Sequence, residues 1–232
     1  MAFTDRSDAG KRLAVALEGY RDERPILLAL PRGGVPVAAE VAAALNAPLD
    51  LILVRKIGVP GEPELAMGAV VDGAMPTVVR NDKVILALGI SESKFESARQ
   101  RELAEIERRR QRYLGSRSRI EVNARTVIVV DDGMATGATM RAAIGAIRTR
   151  RPRKIVLAIP VAPADTLAAM RNEVDDVVCL ESHQFFGSID AYYADFRQVS
   201  DEEVTAALAS FADIDAGGHR GGGDPIGRPA TR

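Results

Sequence analysis

Short apolar runs alternate along the chain with longer amphipathic stretches. PILLAL (25–30), LDLILV (49–54), TVIVV (126–130), KIVLAIP (154–160) and DVVCL (176–180) are apolar at successive positions and read as buried strands. Between them, VPVAAEVAAAL (35–45) is alanine-rich and helical in character, as are DAGKRLAVALE (8–18) and ATMRAAIGAIRTR (138–150). Strands buried on both faces and separated by helices need a mostly parallel, open sheet covered on both sides, so the fold class is α/β. AMGAVVDGAMPTVVRND (66–82) breaks the rhythm with turn signals at Asp72-Gly73 and Met75-Pro76, which predicts a hairpin inserted at the sheet edge.

Two further segments depart from it. SESKFESARQRELAEIERRRQR (91–112) opens on a serine and carries a thin apolar stripe of Phe95, Ala98, Ile106 and, just beyond it, Tyr113. It predicts a long, mostly solvated helix. The arginine run Arg108 to Arg110, with Arg112, has Glu102, Glu105 and Glu107 within helical pairing distance, and a solvated ion-paired face explains it better than a polyanion site. From Asp215 onward the chain is rich in glycine and proline without apolar periodicity. That predicts a domain over 1–214 and a disordered tail over 215–232, which contains His219.

Composition narrows the chemistry. Lysine and arginine number 31 against 32 acidic residues, a formal charge of −1, so the overall field gives no reason to expect a nucleic-acid partner. The 232 residues are 47% hydrophobic, ample for a core without staples. The single cysteine, Cys179, excludes an intrachain disulfide and a cysteine metal cluster; it reads as a buried strand residue in a reducing compartment. No apolar run has the length of a membrane span and MAFTDRSDAGK lacks a signal-peptide core, so a cytoplasmic protein is expected, with a homo-oligomer left open.

The chemistry concentrates in VIVVDDGMATGAT (127–139), where a core strand ends on Asp131 and Asp132. The carboxyl ends of strands are where open α/β sheets bind ligands. Gly133, Ala135, Thr136, Gly137, Ala138 and Thr139 carry little bulk, so backbone N–H groups can close on an anion at the start of the following helix. A phosphate cradle beside two carboxylates suits a ligand with hydroxyls or a metal next to its phosphate, and a ribose 5-phosphate answers that description.

These residues resemble the phosphoribosyl pyrophosphate signature of type I phosphoribosyltransferases. LPRGGVPVA (30–38) resembles that family's pyrophosphate loop, and LVRKIGVPGEPE (53–64) resembles the strand end and Arg-Lys pair that open its mobile active-site loop. The resemblance implies the family's sheet with an inserted hairpin and a small C-terminal hood, here about 181–200. It implies transfer of a phosphoribosyl group to a small, nucleobase-like acceptor with release of diphosphate, a glycosyltransferase reaction of nucleotide metabolism. Mg²⁺ would arrive with the diphosphate, without a dedicated protein ligand. Lys56, Asp131 and Asp132 are the implied catalytic residues, and Arg32, Gly33, Gly34 and Arg55 join them and the 133–139 loop in binding substrate.

The segment 58–64, GVPGEPE, has no second basic residue and carries Glu62 and Glu64 instead; its glycines and prolines predict a loop without regular structure. In LESHQFFGSIDAYYADF, His183 lies among Phe185, Phe186, Tyr192, Tyr193 and Phe196. They form either a cluster that anchors the chain end or the hood surface on which an acceptor stacks. Two other functions remain open: a phosphoribosyl pyrophosphate sensor without turnover, and a phosphohydrolase using the two acids.

Overall fold

The computed structural model describes residues 2–73 and 76–211, the side chains of Pro63 and Glu64 excepted; the predicted tail 215–232 lies outside them. Five strands form one parallel sheet: β1 (Ile26–Ala29), β2 (Leu49–Leu51), β6 (Thr126–Val130), β7 (Lys154–Pro163) and β8 (Asp176–His183), in the order β2-β1-β6-β7-β8. Strand alternation splits its side chains cleanly. Leu27, Ala29, Ile128 and Val130 face one core; Ile26, Leu28, Val127 and Val129 face the other. The first core is closed by α1 (Arg6–Ala16), α2 (Gly34–Leu45), α4 (Glu92–Leu114) and α7 (Asp201–Ala209). The second is closed by α5 (Ala138–Thr149) and α6 (Ala164–Met170).

The chain leaves β1 through α2 to reach β2 on one side, and leaves β6 through α5 to reach β7 on the other. The strand order therefore reverses between β1 and β6, which are hydrogen-bonded neighbours with Ala29 opposite Val130. In a parallel sheet both carboxyl ends lie at the same edge. The turn after β1 and the loop after β6 thus meet at the crevice where such folds bind ligands.

A second, antiparallel sheet of β3 (Val54–Val59), β4 (Glu62–Val71) and β5 (Thr77–Arg80) follows β2, and a short helix α3 (Asp82–Ala87) follows it. The inserted hairpin is present, but in its own three-stranded sheet rather than at an edge of the parallel one. The strand expected over 49–54 ends at Leu51, and Val54 already belongs to this second sheet.

The loop expected over 58–64 is also corrected. Its residues form a hairpin turning at Pro60-Gly61, with Gly61 at φ +91. Ile57 and Val59 are buried in the same core as Phe95 and Ala98 of α4, and that burial holds the ladder despite the register shifts around Gly58.

The stripe on α4 is buried as expected at Phe95, Ala98, Ile106 and Tyr113. In its arginine run, Arg108 and Arg109 pair with Glu105 and Arg112 with Asp201 and Glu202, while Arg110 donates to the Arg117 carbonyl at 3.2 Å. Cys179 is in β8 but only half-buried, its thiol pushed up to about 11 mainly by desolvation. Among the described residues, no helix is long and apolar enough to cross a membrane.

Candidate functional site

Residues 131–140 leave β6 as an open loop and enter α5. Asp131, Gly133 to Met140 and Ile189 line a cavity of about 190 Å³ at that point. The amides of Gly133, Ala135, Thr136, Gly137 and Thr139 donate to no acceptor among the described residues, and that of Ala138 has only Thr136 Oγ1 at 3.5 Å. A cluster of unpaired N–H groups at the positive end of a helix has the chemistry to take an anion. Gly137 permits it with φ +74, a backbone state unfavourable for other residues, and a side chain there would press on Thr166 and the Met134 sulfur. The loop is braced from behind: Arg141 Nη1 donates to the Thr136 carbonyl at 3.1 Å and Thr166 Oγ1 to the Ala135 carbonyl at 3.0 Å.

The two acids have different surroundings. Asp131 lines the cavity and receives the Asp132 amide on Oδ1 at 2.9 Å. Asp132 is turned away and buried. Its Oδ2 accepts from Arg6 Nε at 2.7 Å, with side-chain exposures of 11% for Asp132 and 10% for Arg6. Arg6 also donates from Nη1 to the Arg197 carbonyl at 2.8 Å and lies 3.8 Å over the Phe196 ring. The Tyr193 hydroxyl donates to the Asp132 carbonyl at 2.6 Å. Burial and the adjacent Asp132 charge push the Asp131 carboxyl well above the usual aspartate range. Burial raises Asp132 too, but Arg6 opposes that rise.

The turn after β1 packs directly on this pair. A Cβ on Gly33 would stand 2.0 Å from Asp132 Oδ2, and one on Gly34 would stand 2.7 Å from the Val130 carbonyl and 2.9 Å from Asp131 Cα. Gly34 therefore lets two backbones touch, and Gly33 makes room for the Asp132 carboxylate. The Gly34 amide is already bonded to the Leu30 carbonyl at 3.0 Å, so it is not an available anion donor. Arg32, on the same turn, reaches Asp201 at the start of α7 at 3.5 Å, where Tyr113 also donates at 2.6 Å.

Arg55 and Lys56 are separated by strand alternation. Arg55 lies on the α4 side and pairs through Nε with Glu102 at 2.8 Å. Lys56 is opposite Ala69, on the face shared by Val54 and Val71, which pack into the core closed by α5. The structure thus brings together Asp131, residues 133–139, Gly33 and Gly34, while committing Asp132 to Arg6 and Arg55 to Glu102.

The aromatic stretch folds over the loop from the far side. Ile189 occupies the space that a Gly133 side chain would need. Phe3 packs on Tyr193 with ring centroids 5.2 Å apart, and the Ala2 and Phe3 amides donate to the Tyr192 carbonyl. Part of the cluster therefore anchors the N-terminal segment. His183, Tyr192 and Phe186 stack in series at 4.6 and 5.1 Å, and Phe185 is 95% exposed. Arg6, Arg141 and Thr166 were not legible as site residues, since each arrives from a segment with no motif of its own.

A family model described as the phosphoribosyl transferase domain matches residues 5–197. The chain belongs to this family. The matched range includes both acids, the β1 turn, Arg6 and the aromatic stretch. Two Mycobacterium tuberculosis proteins that carry phosphoribosyl transferase as a provisional name are 43% identical over 206 residues, 89% of this chain. The match is 46% of their length, so the chain spans about half of these curated relatives. The crystal structure of TT1426 from Thermus thermophilus superposes on this phosphoribosyl transferase fold with a TM-score of 0.78 at 40% identity, over 91% of this chain and 100% of that one.

Proposed function

We propose that the protein transfers the phosphoribosyl group of phosphoribosyl pyrophosphate, bound with Mg²⁺, to a nucleobase-like acceptor and releases diphosphate. The observation that carries this is one cavity at the end of β6, where unpaired amides of the 133–139 loop adjoin the Asp131 carboxylate. Those amides, with the Thr136 and Thr139 hydroxyls, take the 5-phosphate. Asp131 accepts from a ribose hydroxyl, and Asp132 adds negative charge behind it. As the bond at C1 breaks, positive charge grows on the sugar and negative charge on the diphosphate. The two acids favour the first, while Arg32, the Gly33 amide and Lys56 favour the second. Mg²⁺ comes with the diphosphate. Among the described residues, no group of three or more His, Cys, Asp or Glu side chains is arranged to hold a metal. The stacked rings of His183, Tyr192 and Phe186 provide an apolar face for a flat acceptor.

Commitment of Arg55 to Glu102 leaves fewer cations for diphosphate, and this favours a second reading, a sensor that binds phosphoribosyl pyrophosphate without turnover. Diphosphate release measured with Mg²⁺ across a panel of purines and pyrimidines separates the two. Release that depends on a base supports transfer. Binding without release supports sensing, and release independent of any base points to hydrolysis.

A further inference from the structure

We propose that Arg6 is a positioning residue of the phosphoribosyl site, acting through Asp132 to hold the carboxylate charged and the aromatic hood seated on the loop. The inference rests on the functional reading above. Two segments distant in sequence, the loop after β6 and residues 196–197, converge on this guanidinium. Its Nε bonds Asp132 Oδ2 at 2.7 Å, its Nη1 bonds the Arg197 carbonyl at 2.8 Å, and its plane lies 3.8 Å over Phe196. Asp132 in turn has its carbonyl held by Tyr193 and its carboxylate laid against Gly33.

An arginine suits this place because a planar fork can bond in two directions while stacking on a ring, which a lysine ammonium cannot. The groups facing Asp132 are Arg6 from α1, Asp131 from its own loop and Tyr193 from the hood; Gly33 contributes only backbone. Arg6 is the one cation among them. Without it, two adjacent carboxyls share a buried site and compete for one negative charge. The second acid then protonates within the working pH range, and the ribose side of the site loses charge where the sugar becomes positive. The hood loses its tie as well, because Phe196 and Arg197 meet the acid pair through this side chain.

The test is calorimetric titration of the full chain with phosphoribosyl pyrophosphate and Mg²⁺ from about pH 5 to about pH 8, for wild type, Arg6→Lys, Arg6→Gln and Arg6→Met. Each variant is compared with wild type at the same pH, which cancels titration of the ligand. Arg6→Met is expected to bind about tenfold more weakly at the acid end and to recover as pH rises and Asp132 ionises without help. Arg6→Lys should keep the wild-type pH profile with a smaller, pH-independent loss. Should Arg6→Met fail to fold, Arg6→Gln carries the test, since its amide can bond Asp132 without supplying charge; the same acid-side loss is expected. A folded neutral variant with wild-type affinity at every pH, or with an equal loss at every pH, would overturn the positioning role alone. Absence of binding by wild type would overturn the functional reading and this inference with it.

Discussion

Gly33 and Asp132 are in such close contact that a methyl group on the glycine would stand 2.0 Å from the carboxylate oxygen Oδ2. That oxygen is bonded to Arg6 at 2.7 Å, so moving it aside would break a buried ion pair. The turn after β1 and the acid pair after β6 are therefore one packed unit, and the candidate site depends on it.

Gly33→Ala and Gly34→Ala should both lose stability by about 1–3 kcal/mol, the usual cost of overpacking. Gly34→Ala should be the worse of the two, since its new atom meets the Val130 carbonyl and Asp131 Cα, both backbone. Urea unfolding ranks them; equal stability in Gly34→Ala and wild type would contradict the close approach.

The two aspartates should respond to amidation to different extents. Asp131→Asn removes a carboxyl whose pKa is raised in the folded protein. Such a group binds its proton more tightly folded than unfolded, so its contribution to stability is present at low pH and is lost as pH rises through the folded value. The variant should therefore gain stability relative to wild type at pH 7, with the gain vanishing below about pH 4, while ligand binding falls. A gain of about 1 kcal/mol would raise Tm by roughly 2–4 °C for a chain of this size. Asp132→Asn also removes a charge that burial opposes, but it leaves Arg6 without its anion, so any gain should be smaller than that of Asp131→Asn. Melting curves at two pH values decide both.

Gly137→Val should place a branched residue at φ +74, at a cost of about 1–2 kcal/mol for the left-handed backbone. It should also abolish ribose 5-phosphate binding, because the side chain crowds the amides of the cradle. Undiminished affinity in the folded variant would move the phosphate site elsewhere.

Lys56→Ala and Arg55→Ala should differ although the residues are adjacent. Arg55 pairs with Glu102 at a partly exposed position, a contact worth at most about 1 kcal/mol, and its loss should leave diphosphate affinity nearly unchanged. Lys56→Ala should lower diphosphate affinity by about tenfold, the loss of one charge-assisted contact with the substrate. Hydrogen exchange adds a second measurement: the β3–β4 ladder should protect residues 54–59 even without ligand.

The α/β class, the five strands, the long helix with its buried stripe and the small-residue loop after β6 were all legible along the chain, because each follows from periodicity or from a contiguous run of small residues. Local pattern also carried the pairing of a carboxylate with unpaired amides at the end of β6, where strand, acid and loop are consecutive. The hairpin over 58–64 was not legible. Glycine and proline there suggest a loop, and only the burial of Ile57 and Val59 against Phe95 turns the segment into a ladder.

Other features belong to tertiary structure alone. Nothing in the sequence distinguishes Asp131 from Asp132; Arg6, more than a hundred residues away, buries one and leaves the other on the cavity. Nothing in the sequence tells that Arg55 is the residue that pairs with Glu102 of α4; the register of β3 decides it. What each charge meets depends on what else is folded against it, and those partners come from segments whose own sequence announces no chemistry.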